Sequence, residues 1–160
     1  MIVHPIPPFY NENSKVLILG SFPSVKSREE GFFYAHPQNR FWRVLAQITG
    51  FELPKNIEEK KLLLALNGIA LWDVIKSCEI TGSSDASICN AQVNDIQKIV
   101  KNSQIKGIFL NGKTAEKYFN RLVKNVGVIV KTLPSTSPAN AKCGFEELVL
   151  KWQIIKEYID

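Results

Sequence analysis

The sequence has little of what metal and nucleophile chemistry usually needs. Of its 160 residues, three are cysteine and two are histidine. Cys78, Cys89 and Cys143 are odd in number and widely spaced, with no Cys-x-x-Cys pair among them. That spacing disfavours a zinc site or an iron–sulfur cluster and fits a reducing compartment. No nucleophile elbow precedes His4 or His36, so Ser-His-Asp catalysis is disfavoured. No glycine-rich cradle is followed by Gly-Lys-Ser/Thr, so there is no phosphate loop of that kind. No run approaches the ~18 apolar residues needed to span a bilayer, and Met1–Tyr10 lacks the apolar core of a signal peptide. The expectation is a soluble intracellular protein with no metal site and no membrane partner.

What is present is ordinary in bulk. Apolar residues make up 45% and charged residues 22%, as in typical globular proteins. A length of 160 residues suggests one domain, 1–160, large enough for a real core. The net charge of +5 and a pI near 9.1 lean mildly towards a polyanionic partner.

Strand and helix signals alternate along the chain. Lys15–Gly20 is a short apolar run closed by glycine, the pattern of a strand buried on both faces. Ser21–Ser24 reads as a loop, with Pro23 opposing an immediate helix. Phe41, Val44, Leu45 and Ile48 recur at helical spacing and stop near Gly50. After Leu53-Pro54, Asn56 caps a second helix containing Ile57 and Leu62–Leu66. Gly68–Ile75 reads as the second strand, followed by the polar loop Thr81–Ser87. Asn94 or Asp95 caps a helix carrying Ile96, Ile99 and Val100. Ile105–Leu110 is the third strand, and Asn111–Thr114 turns it into a helix through Tyr118. Val126–Val130 is the fourth strand and runs into Leu133–Asn140, rich in hydroxyls and turn formers. Phe145, Leu148, Val149, Trp152, Ile155 and Ile159 form a last amphipathic helix. The alternation predicts an α/β fold of three layers, α/β/α, with a central four-stranded parallel sheet. Ligands of such folds sit at the carboxyl ends of the strands.

The chemistry-bearing residues cluster in the loops at that edge. Gly31–Trp42 places three consecutive aromatics, a Pro turn, a carboxamide and an arginine together. Phe41 and Trp42 begin an apolar stripe and read as core. Tyr34, His36 and Asn39 read as a site, because an aromatic face stacks on a flat heterocycle and a carboxamide holds its edge or a water. Gly20–Ser24 reads either as the wall of a pocket or as a plain strand-to-loop turn. Leu133–Asn140 reads either as a grip on a DNA backbone or as a solvated Ser/Pro loop. Lys113, at a helix start, suits an anion or is simply solvated, whereas Arg40, Arg43 and Lys142 flank the loops and suit phosphate. Asp73 helps to shape a pocket, but as one carboxylate without a partner it is a weak catalytic candidate.

Five segments together resemble a known group. They are Leu17-Ile18-Leu19-Gly20-Ser21-Phe22-Pro23-Ser24, Tyr34-Ala35-His36-Pro37-Gln38-Asn39-Arg40-Phe41-Trp42 and Ala70-Leu71-Trp72-Asp73-Val74, then Leu110-Asn111-Gly112-Lys113 and Leu133-Pro134-Ser135-Thr136-Ser137-Pro138-Ala139-Asn140. In order and spacing the chain resembles the uracil-DNA glycosylase superfamily, and most closely its hypoxanthine-DNA glycosylase branch. The resemblance implies a uracil-DNA glycosylase-like fold and a monofunctional enzyme of base excision repair, which flips hypoxanthine out of DNA and leaves an abasic site. It departs from related branches at Ser21-Phe22, where mismatch-specific enzymes carry asparagine and classical uracil enzymes have an aspartate nearby. It departs again at Leu133, where the classical enzymes carry histidine. The hypoxanthine branch is thought to use the asparagine of His-Pro-x-Asn, which maps onto Asn39 as the catalytic residue. The base pocket implied is Gly20, Ser21, Phe22, Pro23, Tyr34, His36 and Asn111. The DNA contacts implied are Arg40, Arg43, Lys113, Ser135, Thr136, Ser137, Pro138, Ala139, Asn140 and Lys142. The partner is double-stranded DNA containing a deaminated base, and a cytoplasmic monomer without cofactor is expected, nucleoid-associated if the host is a prokaryote. The alternatives are a uracil or mismatch-specific glycosylase, a non-catalytic reader of damaged DNA, and a nucleoside hydrolase on a similar scaffold.

Overall fold

The computed structural model describes all 160 residues. The strands form two sheets. Strands β2 (Val16–Gly20), β3 (Ile69–Asp73), β6 (Gly107–Asn111) and β7 (Ile129–Leu133) make the parallel sheet, in the order β3-β2-β6-β7. All five residues of β2 are buried, as a central strand covered on both faces requires. Its side chains alternate between two cores: Val16 and Ile18 enter one, Leu17 and Leu19 the other.

The first core is closed by α2 (Phe41–Thr49), α3 (Ile57–Asn67) and α6 (Phe145–Trp152), through Phe41, Leu45, Leu64, Leu148 and Trp152. The second is closed by α4 (Ile96–Lys101) and α5 (Lys113–Leu122), through Ile96, Ile99, Ala115 and Phe119. The three-layer α/β/α arrangement expected from the alternation is therefore present. Phe41 and Trp152 are fully buried and meet edge to face at 5.8 Å. Truncating either to alanine would cost about 3–5 kcal/mol. The chain ends in a 3-10 turn over Gln153–Ile155 and the short α7 (Lys156–Ile159). No helix is long and apolar enough to cross a membrane.

Three local expectations need correction. The second strand does not run from Gly68 to Ile75. It ends at Asp73, and β4 (Ile75–Glu79) turns into a second, antiparallel sheet with β1 (Ile2–Val3) and β5 (Cys89–Val93), in the order β1-β4-β5. Val74 and Ile75 are both fully buried, so hydrophobicity runs straight through the bend and hides it. The buried Asn94 holds the corner by donating to the carbonyls of Asp73 (2.9 Å) and Ile75 (3.2 Å). Asp95, not Asn94, caps α4 by accepting from the Lys98 amide.

The fourth strand lies three residues later than the apolar run Val126–Val130 suggests. Gly127 takes a left-handed turn, φ 73°, and donates to the Asn125 side chain, so the strand starts only at Ile129. As an edge strand it exposes Ile129, Lys131 and Thr132, a pattern that apolar runs do not mark. Finally, α1 (Val25–Glu30) follows Pro23 almost at once. Ser24 intervenes as its N-cap, accepting from the Ser27 amide, and leaves the proline outside the helix.

Candidate active site

The carboxyl ends of β2, β3 and β6 bring Gly20, Asp73 and Asn111 to one edge of the sheet, where they enclose a cavity of about 300 Å³ with the 33–39 and 135–139 segments. That size is at the lower end for ligand sites. At the floor, a Cβ on residue 20 would lie 2.5 Å from Asp73 Oδ1 and 3.0 Å from Tyr34 Oη. Only glycine permits this approach.

Asp73 has a partner that its sequence context does not reveal. His4 Nε2 lies 2.7 Å from Asp73 Oδ2, and the two side chains are only 2% and 5% exposed. The N-terminal segment carries His4 in: β1 pairs with β4, and the His4 amide donates to the Lys76 carbonyl. The Ile6 amide donates to His4 Nδ1 at 3.2 Å. A backbone N–H can only donate, so Nδ1 accepts and Nε2 carries the proton that meets Asp73. Nothing local in the sequence marks this pair, since 69 residues separate its members.

Tyr34 takes a left-handed backbone conformation, φ 54°, a strain of about 1–2 kcal/mol for a residue with a side chain. Phe41 stacks on its ring with centroids 4.0 Å apart. Its hydroxyl is buried and has no hydrogen-bond partner. Burial pushes the phenol pKa well above its usual range; the Asp73 charge adds to this, the nearby Asn111 side chain opposes it, and Asp85 adds a little more. The hydroxyl therefore keeps its proton.

Asn39, Thr136 and Asn111 form one network. Asn39 Oδ1 accepts from the Phe41 amide at 2.9 Å and from Thr136 Oγ1 at 2.8 Å. Because the Phe41 N–H can only donate, the atom it meets must be the carbonyl oxygen, which leaves the Asn39 amide N–H groups for the cavity it lines. The fully buried Thr136 is gripped by Asn111, whose Oδ1 accepts from the Thr136 amide at 3.0 Å and whose Nδ2 donates to its hydroxyl at 3.1 Å. Arg40 clamps the same loop. Its Nε donates to Thr136 O, its Nη1 to Cys143 O, and its Nη2 to Ser137 O and Asn140 O. Most of its N–H groups thus face loop carbonyls.

The remaining candidates sit at the rim or beyond it. Ser21, the buried Phe22 and Pro23 line the cavity, with the ring of Phe22 edge-on to His4 at 5.7 Å. His36, Pro138 and Ala139 are exposed on its lip, whereas Asn140 donates to Ser135 O and the Ser135 hydroxyl accepts from the Ser137 amide. Ser21 Oγ donates to Asp85 at 3.1 Å. Partial desolvation raises the Asp85 carboxyl pKa above the ordinary range; the Ser21 and Thr114 hydroxyls lower it, and Asp73 raises it. Lys113 and Lys142 lie along an adjoining groove of about 850 Å³, together with Lys117 and Lys151. Sequence reasoning missed those last two lysines, although the spacing of Lys113 and Lys117 on α5 offered a signal. Arg43 is exposed on α2 and lines neither cavity. No group of three or more His, Cys, Asp or Glu side chains converges as a metal site would require.

This fold, with its loop-built cavity at the strand ends, has known counterparts. Residues 7–156 match the uracil DNA glycosylase superfamily, and the chain belongs to that superfamily. Two relatives bear a more particular name. A hypoxanthine DNA glycosylase from Methanosarcina acetivorans is 37% identical over 144 residues, covering 89% of this chain and 90% of the relative. A hypoxanthine DNA glycosylase from Methanosarcina barkeri is 35% identical over 139 residues, with coverage of 85% and 87%. The solution structure of a candidate uracil DNA glycosylase from Methanosarcina acetivorans superposes with a TM-score of 0.85 over 99% of both chains at 31% identity.

Proposed function

We propose that the chain is a monofunctional DNA glycosylase that flips hypoxanthine out of double-stranded DNA and hydrolyses its N-glycosyl bond. The names of the two relatives support the substrate, and the Asn39 carboxamide carries the chemistry. As the C1′–N9 bond breaks, its electron pair leaves with the purine and the sugar becomes oxocarbenium-like. Water adds to C1′ and gives up a proton, the purine leaves with one, and an abasic site remains. An amide cannot act as a base. With Oδ1 committed to Phe41 and Thr136, Asn39 acts as a donor that stabilises the charge developing on the departing purine. Extrusion of the base costs about a few kcal/mol, least for a mispaired one. Lys113, Lys142 and the Ser135–Ser137 loop hold the backbone meanwhile.

The test is single-turnover excision on duplexes carrying one hypoxanthine, uracil or xanthine, read by alkaline strand cleavage. Cleavage mainly at hypoxanthine is expected. Asn39→Asp keeps the acceptor for Phe41 and Thr136 but removes the donor, and lowers the rate about 10²–10³-fold. Preferential cleavage at uracil, which the name of the structural neighbour favours, moves the chain to a uracil enzyme. Binding without any cleavage makes it a reader of damaged DNA.

A further inference from the structure

The floor of the cavity holds two polar atoms that the protein leaves unsatisfied. Asp73 Oδ2 accepts the hydrogen bond of His4 Nε2–H, while no side chain donates to Oδ1. The Tyr34 hydroxyl is buried and unpartnered. Both Asp73 Oδ1 and Tyr34 Oη lie within 3.0 Å of the point where a Cβ would stand on Gly20, so they are neighbours on one patch of floor. Asp73, Tyr34 and Gly20 all line the cavity. The Tyr34 hydroxyl is the buried one of the two and costly to leave unpaired, whereas Oδ1 is open to the cavity, so this patch is shaped for a ligand that supplies the missing bonds.

The order of those bonds restricts the ligand once the base is seated with its ring N1 opposite Asp73 Oδ1. A carboxylate oxygen only accepts, while a protonated phenol donates. Their complement is a ring N–H next to a carbonyl oxygen. Hypoxanthine carries that lactam edge at N1–H and O6. Adenine presents the reverse, a bare N1 beside an amino group, and would set its N1 lone pair against the carboxylate. We propose that Asp73 and the Tyr34 hydroxyl read the lactam edge of a deaminated base and reject its amino precursor, with His4 as the positioning residue that turns Oδ1 to the cavity. This rests on the glycosylase reading above. Uracil and xanthine carry the same edge, and so do guanine and thymine, so the pair separates hypoxanthine from adenine and uracil from cytosine, while cavity shape must exclude the remaining lactam-edged bases.

The deciding comparison is a duplex with one hypoxanthine against one with unsubstituted purine at the same position, since purine lacks both O6 and N1–H. Wild-type protein should excise hypoxanthine at least about a hundredfold faster, because a site built to hydrogen-bond a group discriminates strongly against its absence. Asp73→Asn can turn its amide to donate to a bare N1, and should shrink that ratio about tenfold or more. His4→Phe keeps the aromatic packing against Phe22 and should move the ratio in the same direction; purely structural damage would lower both rates together. Tyr34→Phe deletes only the hydroxyl and decides the matter even where Asp73→Asn fails to fold. An unchanged ratio in the folded variants, with wild-type excision of hypoxanthine intact, overturns the edge-reading role alone. A wild-type protein inert on hypoxanthine overturns the glycosylase reading and this inference together.

Discussion

Asp85 stands where a charge matters most, on the rim that a DNA strand would cross. Its carboxyl is raised by desolvation, so its charged form is penalised in the folded chain. Its contribution to stability is therefore present below the ordinary carboxylate pKa and is lost as the pH rises through the shifted value. Asp85→Asn should raise the melting temperature slightly at neutral pH, and not in acid. DNA affinity of the native chain should rise as the pH falls from neutral through that raised pKa, and titration of Asp85→Asn by fluorescence anisotropy should show the rise abolished. Gly20 is the other single position on which the site turns. Gly20→Ala drives a Cβ to 2.5 Å from a carboxylate that His4 already holds. It should cost about 1–3 kcal/mol in denaturant unfolding and depress excision. If both stability and activity survive, the close packing of the floor is of no consequence.

At the scale of elements, the cavity depends on a loop that has no regular structure of its own. The segment from Pro134 to Cys143 is held by Arg40 from the start of α2, by Asn111 from the end of β6, and by Trp152 of α6, whose indole donates to Pro134 O at 2.9 Å. Arg40→Lys replaces a planar fork with a point donor that cannot span four carbonyls. Thr136 should then drift from Asn39, with single-turnover excision falling about tenfold to a hundredfold and proteolytic nicking within 134–143 accelerating. Undiminished excision with faster nicking would separate the loop from the chemistry. Arg40 also shows how far the sequence could be read. Its place beside the site was legible from its position next to Asn39, but its orientation towards carbonyls arises from a loop about a hundred residues away.

For the whole molecule, the net charge of +5 becomes useful only because lysines gather along one groove continuous with the cavity. Replacing Lys113 and Lys142 together by alanine should reduce the slope of log affinity against log salt by about two, since each phosphate left without its cation removes about 0.9. A slope that does not change would place the DNA elsewhere. The sequence by itself determined the alternation of strands and helices, the apolar stripe from Phe41 to Ile48, and the Asn56 cap, because period, propensity and capping are local properties. It also determined Asn39 as the site candidate, through a motif whose residues are neighbours in the chain. Only the tertiary structure decided the bend at Val74, the late start of β7, the Asp73–His4 pair and the unpartnered Tyr34 hydroxyl. Each of these depends on which distant segment covers or meets a residue, and burial of that kind leaves no periodic mark in the chain.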